Sequence, residues 1–125
     1  MKLIEMHKQR EGGSESKMPP NLTVQMADSY FSRLRGLMGK KSMGDTGGLL
    51  LKKCSAVHTI GMRYTLDLVF MDKSGKVLKC TEGVKPFRTA SARGAYYTLE
   101  LNQGMIQKQD IKVDDRFELN AVEKS

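Results

Sequence analysis

The chain has 125 residues and a mass of 14.0 kDa, which leaves room for one domain of ordinary size. Its 39% hydrophobic and 28% charged residues, with no apolar run near the roughly 18 residues of a membrane helix, exclude fibrous, membrane-spanning and wholly disordered proteins. Basic residues outnumber acidic ones by 21 to 14, and residues 33–93 hold 13 of the basic and only 4 of the acidic ones, which favours anionic ligands or a solvated basic surface.

No secretory signal is expected at the start of this sequence. Residues 1–8 have at most two consecutive apolar residues, whereas a signal needs an apolar stretch of roughly 7 to 15. We therefore expect a cytoplasmic protein. In that compartment Cys54 and Cys80 are expected to be reduced thiols rather than a disulfide, and their separation is not that of a redox pair.

Composition divides the chain into three parts. Residues 1–20 are expected to form an N-terminal strand and a mobile connector, because residues 9–20 mix glycine, serine, proline and charge. Residues 21–120 are expected to form a single β-rich globular domain, and residues 121–125 a tail. In the second part, Leu22 to Met26 alternate apolar and polar residues, as a half-buried strand does.

A helix is predicted over residues 28–38. Asp28 or Ser29 can cap its first amides, and Gly39 can end it in the left-handed conformation. Apolar residues recur at helical spacing along one stripe, at Tyr30, Phe31, Leu34, Leu37 and Met38. This stripe leaves Arg33 away from the core side.

The middle of the chain predicts three strands. Leu49 to Leu51 is a short apolar run that predicts a strand covered on both faces. Leu66 to Met71 and Val77 to Thr81 predict a hairpin, in which Gly75 supplies the positive φ of a tight turn. Alternation in the first hairpin strand predicts two faces, one with Leu66, Leu68 and Phe70, the other with Asp67, Val69 and Met71. Asp67 is then expected near the mouth of a partly apolar face.

The last third of the chain predicts further strands and loops. Lys85 to Arg88 must leave the sheet because proline lacks an amide hydrogen, and a loop is predicted from there to Gly94. Extended segments are predicted at 95–101, 111–113 and 116–119, with a turn at Asp114 and Asp115. The predicted fold is α+β: a mainly antiparallel, barrel-like or sandwich-like sheet with one main helix.

The densest group of chemically active side chains is Cys54, His58, Met62 and Asp67. The first three are spaced by four residues, and His58 lies close in sequence to the hairpin that holds Asp67. A carboxylate that binds one imidazole nitrogen would leave the other for a ligand or a substrate proton. Alternatively, His58 satisfies a hydrogen bond at the edge of the core, without a function of its own.

Other kinds of site have weaker support. A soft metal ion would suit the thiolate, imidazole, thioether and carboxylate of this group, but no Cys-x-x-Cys or His-x-x-x-His spacing occurs, and no metal or cofactor is predicted. A phosphate loop is missing, and so is a nucleophile elbow around Cys54 or Ser55. Nucleic acid is not expected as a partner, since aromatics are 6% and no nucleic-acid-binding motif is present.

Several motifs together resemble one family. The motifs are Arg33 to Lys40, Gly48 to Leu51, Val57 to Arg63, Leu66 to Asp72, Lys85 to Arg88 and Leu99 to Gly104. In order and spacing, from about Leu22 to Leu119, they resemble the domain of unknown function 192 (DUF192). The resemblance implies a small β-rich single domain, of a kind found in bacteria and archaea, with no established activity.

The resemblance also implies a polar signature, which in this sequence falls on Arg33, His58, Met62, Arg63 and Asp67, with Gly36 and Gly61 shaping the backbone. In one departure, Asp114 stands where members often have glycine. Aspartate can adopt the left-handed conformation, though less readily than glycine, so we expect the turn to be kept.

These observations lead to one leading hypothesis. The chain is expected to be a cytoplasmic, monomeric binding module that holds a small anionic molecule or an acidic peptide end near Arg33, His58 and Asp67. Arg63 and Arg88 are candidate further donors to a carboxylate or phosphate, and Met62 is the remaining candidate ligand-binding residue. The alternatives are a hydrolase or transferase that uses His58 as general base beside Asp67, and an accessory protein of a larger assembly.

Overall fold

The computed structural model describes residues 2–9, 21–27, 48–59 and 64–121. The predicted helix 28–38, most of the predicted connector, and Arg33, Met62 and Arg63 lie outside these residues. The described strands are β1 (Lys2–Gln9), β2 (Asn21–Ala27), β3 (Gly48–Lys52), β4 (Ala56–His58), β5 (Leu66–Met71), β6 (Val77–Val84), β7 (Thr89–Ser91), β8 (Tyr97–Asn102) and β9 (Arg116–Ala121). A short helix, α1, spans Met105–Lys108. None of the helices in these ranges is long and apolar enough to cross a membrane.

The strands form two sheets. Seven of them make the main sheet, in the order β6-β5-β8-β3-β2-β1-β9, and β4 pairs with β7 in the small sheet. Neighbouring strands are antiparallel except β2 and β3. Among the described residues, β6 and β9 form the two edges of this sheet and are linked only by an isolated bridge between Lys76, just before β6, and Arg116. Because no continuous strand pairing joins the two edges, the main sheet is not a closed barrel. The α+β fold with a mainly antiparallel sheet is confirmed, and the second sheet makes it sandwich-like.

Two hydrophobic cores lie on opposite faces of the main sheet. The first runs from edge to edge of the sheet and contains Val69 and Met71 of β5. The second contains Leu66, Leu68 and Phe70, and the small sheet packs on it through Val57 and Ala90. Strand β5 is therefore buried on both sides, and the two faces predicted from its alternation are confirmed.

The hairpin between β5 and β6 turns at Gly75, whose φ is +90°. The Asp72 carboxylate accepts hydrogen bonds from the hydroxyl and amide of Ser74 and from the Lys76 amide. The hydrogen bond from the Ser74 hydroxyl is the main cause that lowers the pKa of Asp72, and the two amide hydrogen bonds lower it further. The carbonyl of Gly75 accepts from the Phe117 amide at 2.9 Å, so the turn contacts β9. The predicted tight turn is confirmed, and it meets the opposite edge of the sheet.

Two expectations for the last third of the chain were wrong, and one element was missed. Thr89–Ser91 is not loop but strand β7, because these residues pair with β4. Residues 111–113 are not a strand, since Ile111 and Val113 lie in the connection between α1 and β9. Helix α1 was not predicted, because four residues are too few to show a helical period. The turn at Asp114 is confirmed, with a φ of +77°.

Candidate functional site

His58 lies on the outer side of the small sheet. It is the last residue of β4, its backbone is opposite Thr89 of β7, and its side chain is exposed. The preceding residue, Val57, is buried in the second core. Since successive strand residues point to opposite faces, the burial of Val57 directs His58 outward.

Thr59 fixes the loop that follows β6, Lys85–Arg88, beside His58. Its buried hydroxyl donates to the Lys85 carbonyl at 2.8 Å, with the Arg88 carbonyl 3.1 Å away, and it accepts from the Arg88 amide at 2.7 Å. The Thr59 amide also donates to the Arg88 carbonyl, and the Phe87 amide donates to the Thr59 carbonyl. The loop is therefore held on both sides of Phe87.

Phe87 stands at the tip of this loop in an unusual conformation. Its φ is +62°, in the left-handed region, and its side chain is 68% exposed. A left-handed conformation costs a residue with a Cβ about 1–2 kcal/mol, and it is rare for a bulky side chain. The exposed Arg88 follows, with its guanidinium 3.3 Å from the Phe87 carbonyl. The hydrogen bonds of Thr59 thus hold a loop with an exposed aromatic and an exposed cationic side chain against the end of β4, where His58 lies.

Replacing Thr59 with valine tests this arrangement. Valine has nearly the same shape but no hydroxyl, so the Arg88 amide loses its acceptor; we expect a loss of about 1–3 kcal/mol in the free energy of unfolding, measured by urea denaturation. Thr59→Ser keeps the hydroxyl and is expected to lose clearly less. Equal losses in the two variants would show that the hydroxyl does not fix the loop.

The small sheet is basic and has no acidic residue near it in sequence. Residues 52–59 and 85–95, which form and flank β4 and β7, contain five basic residues and no aspartate or glutamate; the basic residues are Lys52, Lys53, Lys85, Arg88 and Arg93. From β6, the Lys79 ammonium reaches over to donate to the Ser91 carbonyl at 2.9 Å. A surface of this kind attracts anions.

A second charged surface differs from the small sheet because it contains acidic as well as basic residues. A cleft of about 990 Å³ lies between the end of β1 and the turn before β9. It is lined by four basic residues, and three of them have a carboxylate partner: Lys8 with Asp115 at 3.0 Å, Lys76 with Asp114 at 3.5 Å and Lys112 with Asp110 at 3.5 Å; Arg116 is the fourth. Because its four basic residues face three carboxylates, the cleft attracts an anion less than the small sheet does.

Asp67 is completely buried, so its predicted position near the mouth of an apolar face is wrong. Its carboxylate accepts three backbone hydrogen bonds, from Gly83 at 3.0 Å, Gly104 at 3.0 Å and Ile106 at 3.1 Å. The His58 imidazole is not one of these donors. The carboxylate thereby joins β5 to the irregular part of β6 around Gly83 and to the first turn of α1.

A buried carboxylate that the sequence did not single out is Glu100. It is completely buried in the middle of β8, opposite Leu49 of β3 and Leu68 of β5, and it takes part in a polar interaction. These neighbours belong to the second core, so Glu100 points toward the same side of the main sheet as the small sheet. The signal in the sequence was a glutamate between Leu99 and Leu101 in a buried strand.

The sequence is similar to proteins of one known family. The sequence profile of the DUF192 family, described as Uncharacterized ACR, matches residues 12–119. The chain belongs to the DUF192 family. A UPF0127 protein of Pyrococcus furiosus is 30% identical over 105 residues, which are 81% of this chain and 90% of that protein. A UPF0127 protein of Thermococcus sibiricus is 26% identical over 105 residues, covering 80% and 68% of the two chains.

Two solved structures share the fold of this DUF192 chain. A Sinorhizobium meliloti protein, provisionally described as a transcription regulator, has a TM-score of 0.76 and 22% identity over 94% of this chain and 93% of its own. A protein of unknown function from Novosphingobium aromaticivorans has a TM-score of 0.72 and 18% identity over 93% and 84%. At these identities the likeness shows the fold alone.

Cys54 and Cys80 of the DUF192 chain are both free cysteines. Burial, and then the charges of Asp115, Glu82 and Asp67, raise the pKa of Cys80 from 9.0 to about 11. The fold therefore holds the thiol proton more tightly than the unfolded chain does, and this contribution to stability is lost as the pH rises from about 9 toward 11. Among the described residues no group of three or more histidine, cysteine or acidic side chains is placed to hold a metal ion.

Cys80 is accordingly expected to resist alkylation. A pKa about two units higher leaves about 100-fold less thiolate at pH 8, so iodoacetamide should label Cys80 about two orders of magnitude more slowly in native than in urea-unfolded protein, as followed by mass spectrometry. Cys54 in the same sample is the internal control. Native labelling of Cys80 at the unfolded rate would contradict its burial.

Proposed function

We propose that this protein is a small binding module whose small sheet holds an anionic group, a carboxylate or a phosphate. The observation that carries the proposal is the basic small sheet without acidic residues, together with the loop that Thr59 holds at the end of β4. In this loop the exposed Arg88 directly precedes Thr89, the strand partner of His58. Arg88 would supply paired donors to the anion, and His58 a further donor. Arg33, Met62 and Arg63 remain predicted members of the site.

The hydrogen bonds of Asp67 favour a binding function over a catalytic one. In the catalytic alternative, Asp67 was the carboxylate expected beside His58 as general base. Its two oxygens accept instead from three backbone amides, which supports a structural role for this carboxylate. In the binding proposal, Asp67 stabilises the main sheet beneath the site and does not contact the ligand.

Titration of the ¹⁵N-labelled protein with inorganic phosphate tests the proposal by NMR. We expect saturable shifts of the amides of His58, Arg88 and Thr89 with a dissociation constant in the millimolar range, about 4 kcal/mol of binding free energy. Sodium chloride at equal ionic strength separates specific binding from screening. Arg88→Gln and His58→Gln are each expected to weaken binding several-fold.

Lys108→Gln is the matched control, because Lys108 is exposed and basic but lies on α1. It removes the same charge from the molecule while leaving the small sheet intact. If Lys108→Gln weakened phosphate binding as much as Arg88→Gln, the effect would come from net charge and the proposed site would be wrong. Shifts that grow linearly with phosphate and equally with chloride would also contradict it.

A further inference from the structure

The exposed Phe87 ring is not explained by anion binding. Among the described residues it is the large hydrophobic side chain most open to solvent, ahead of Val113, and it lies in the sequence between the basic residues Lys85 and Arg88. Its backbone conformation is unfavourable, and the hydrogen bonds of Thr59 maintain it. Strained residues that the surrounding structure holds in place occur preferentially at functional sites.

We infer that Phe87 is a preformed anchor for a protein segment that combines acidic and apolar side chains, an inference that rests on the proposed anion site. The partner's carboxylates would bind Arg88 and the neighbouring basic residues, while one of its apolar side chains covers the Phe87 ring. Because the loop is already fixed by Thr59, little backbone freedom is lost when the partner binds. Aromatic and arginine side chains together are the typical composition of an interface hot spot.

Charge complementarity and the small number of apolar residues favour a protein partner over a membrane. Stable membrane attachment needs more buried apolar surface than a single aromatic side chain supplies. The other exposed hydrophobic residue, Val113, belongs to the turn before β9, beside the cleft with paired charges, and not to the small sheet. Nucleic acid is disfavoured because single-strand binding uses several aromatic side chains for stacking, whereas among the described residues of this surface Phe87 is the one exposed aromatic side chain.

Fluorescence anisotropy with four labelled or competing probes tests the inference. The probes are the peptides (Glu-Leu)4, (Glu-Ser)4 and (Lys-Leu)4 and vesicles that contain anionic phosphatidylglycerol. We expect the wild-type protein to bind (Glu-Leu)4 about tenfold more tightly than (Glu-Ser)4 and to show no binding to (Lys-Leu)4. Vesicles are expected neither to bind the protein at physiological salt nor to displace (Glu-Leu)4.

Phe87→Asn is the diagnostic variant. Asparagine tolerates the left-handed conformation better than phenylalanine, so the melting temperature is expected to equal or exceed that of the wild type. The same variant is expected to bind (Glu-Leu)4 and (Glu-Ser)4 with equal affinity. Val113→Asn, which removes the other exposed hydrophobic side chain, is the matched control and is expected to keep the tenfold preference.

The outcomes separate this inference from the proposed function. Equal affinity of the wild type for the two acidic peptides would overturn the role of Phe87 while leaving the anion site in place. Absence of binding to phosphate and to both acidic peptides would overturn the anion site as well. Binding to anionic vesicles that Phe87→Asn abolishes, without a preference between the peptides, would replace the protein partner with a membrane surface.

Discussion

Gly75→Ala is expected to lower the free energy of unfolding by about 2–5 kcal/mol, a large part of the 5–15 kcal/mol of an ordinary domain. Two costs add. The φ of +90° is unfavourable for alanine by about 1–2 kcal/mol, and a Cβ at this position would lie 2.2 Å from the Phe117 carbonyl oxygen. Relief of that clash must move backbone, because neither partner is a flexible side chain, and such overpacking costs about 1–3 kcal/mol.

Gly104→Ala separates these two costs. Gly104 has nearly the same φ, +92°, but a Cβ there would meet nothing within 4 Å, so only the conformational cost of about 1–2 kcal/mol is expected. Urea denaturation followed by circular dichroism measures both variants. If the two alanine variants lost the same stability, the contact between the hairpin turn and β9 would not be as close as the structure places it.

The contact between Gly75 and β9 also shows what the sequence could and could not predict. The turn itself was predictable, because a glycine between two alternating strands is a local signal. The faces of β5 followed from alternation for the same reason, whereas the left-handed conformation of Asp114 was expected from the family resemblance. That the turn meets Phe117, more than 40 positions along the chain, was not predictable, because nothing in the local pattern of either segment specifies the other.

The same limit explains the elements that were missed. Thr89–Ser91 is polar and mostly exposed and has no apolar alternation; it is a strand because β4 pairs with it. Helix α1 has one buried residue, Ile106, and no side chain of its own caps its start. The amides of Gly104 and Ile106, at its start, donate to Asp67, which is far away in the sequence. The local sequence of the helix is therefore not enough to predict it.

The candidate site was predicted in part. His58 and Arg88 were both selected from the sequence, and the structure brings the segments that carry them together through Thr59 and β7. The importance of Thr59 was missed, because a single threonine beside a histidine has no distinctive pattern. Asp67 was correctly placed in the first strand of the hairpin, but its surroundings were predicted wrongly. Its hydrogen-bond partners are backbone amides near the end of β6 and the start of α1, which are distant in sequence and come together only in the fold.

Asp67→Ala is expected to cost at least about 4 kcal/mol of unfolding free energy. The substitution removes a charged acceptor from three backbone amides, each such hydrogen bond being worth about 1.5–3 kcal/mol, and the buried Ile106 amide is left without its acceptor. Urea denaturation measures the loss. The irregular part of β6 and the first turn of α1 are expected to exchange their amide hydrogens fastest, since both are held by this carboxylate.

Asp67→Asn distinguishes the structural role from the orienting role that the sequence suggested. Gly104 and Ile106 donate to one carboxylate oxygen and Gly83 to the other, so the asparagine amide can keep two bonds but must place its own NH₂ against the Gly83 amide. We expect an intermediate loss of about 2 kcal/mol, with phosphate binding by the folded protein unchanged. A variant that kept full stability but bound phosphate more than about tenfold more weakly would show that Asp67 acts on the ligand site, and that the backbone bonds are not its main role.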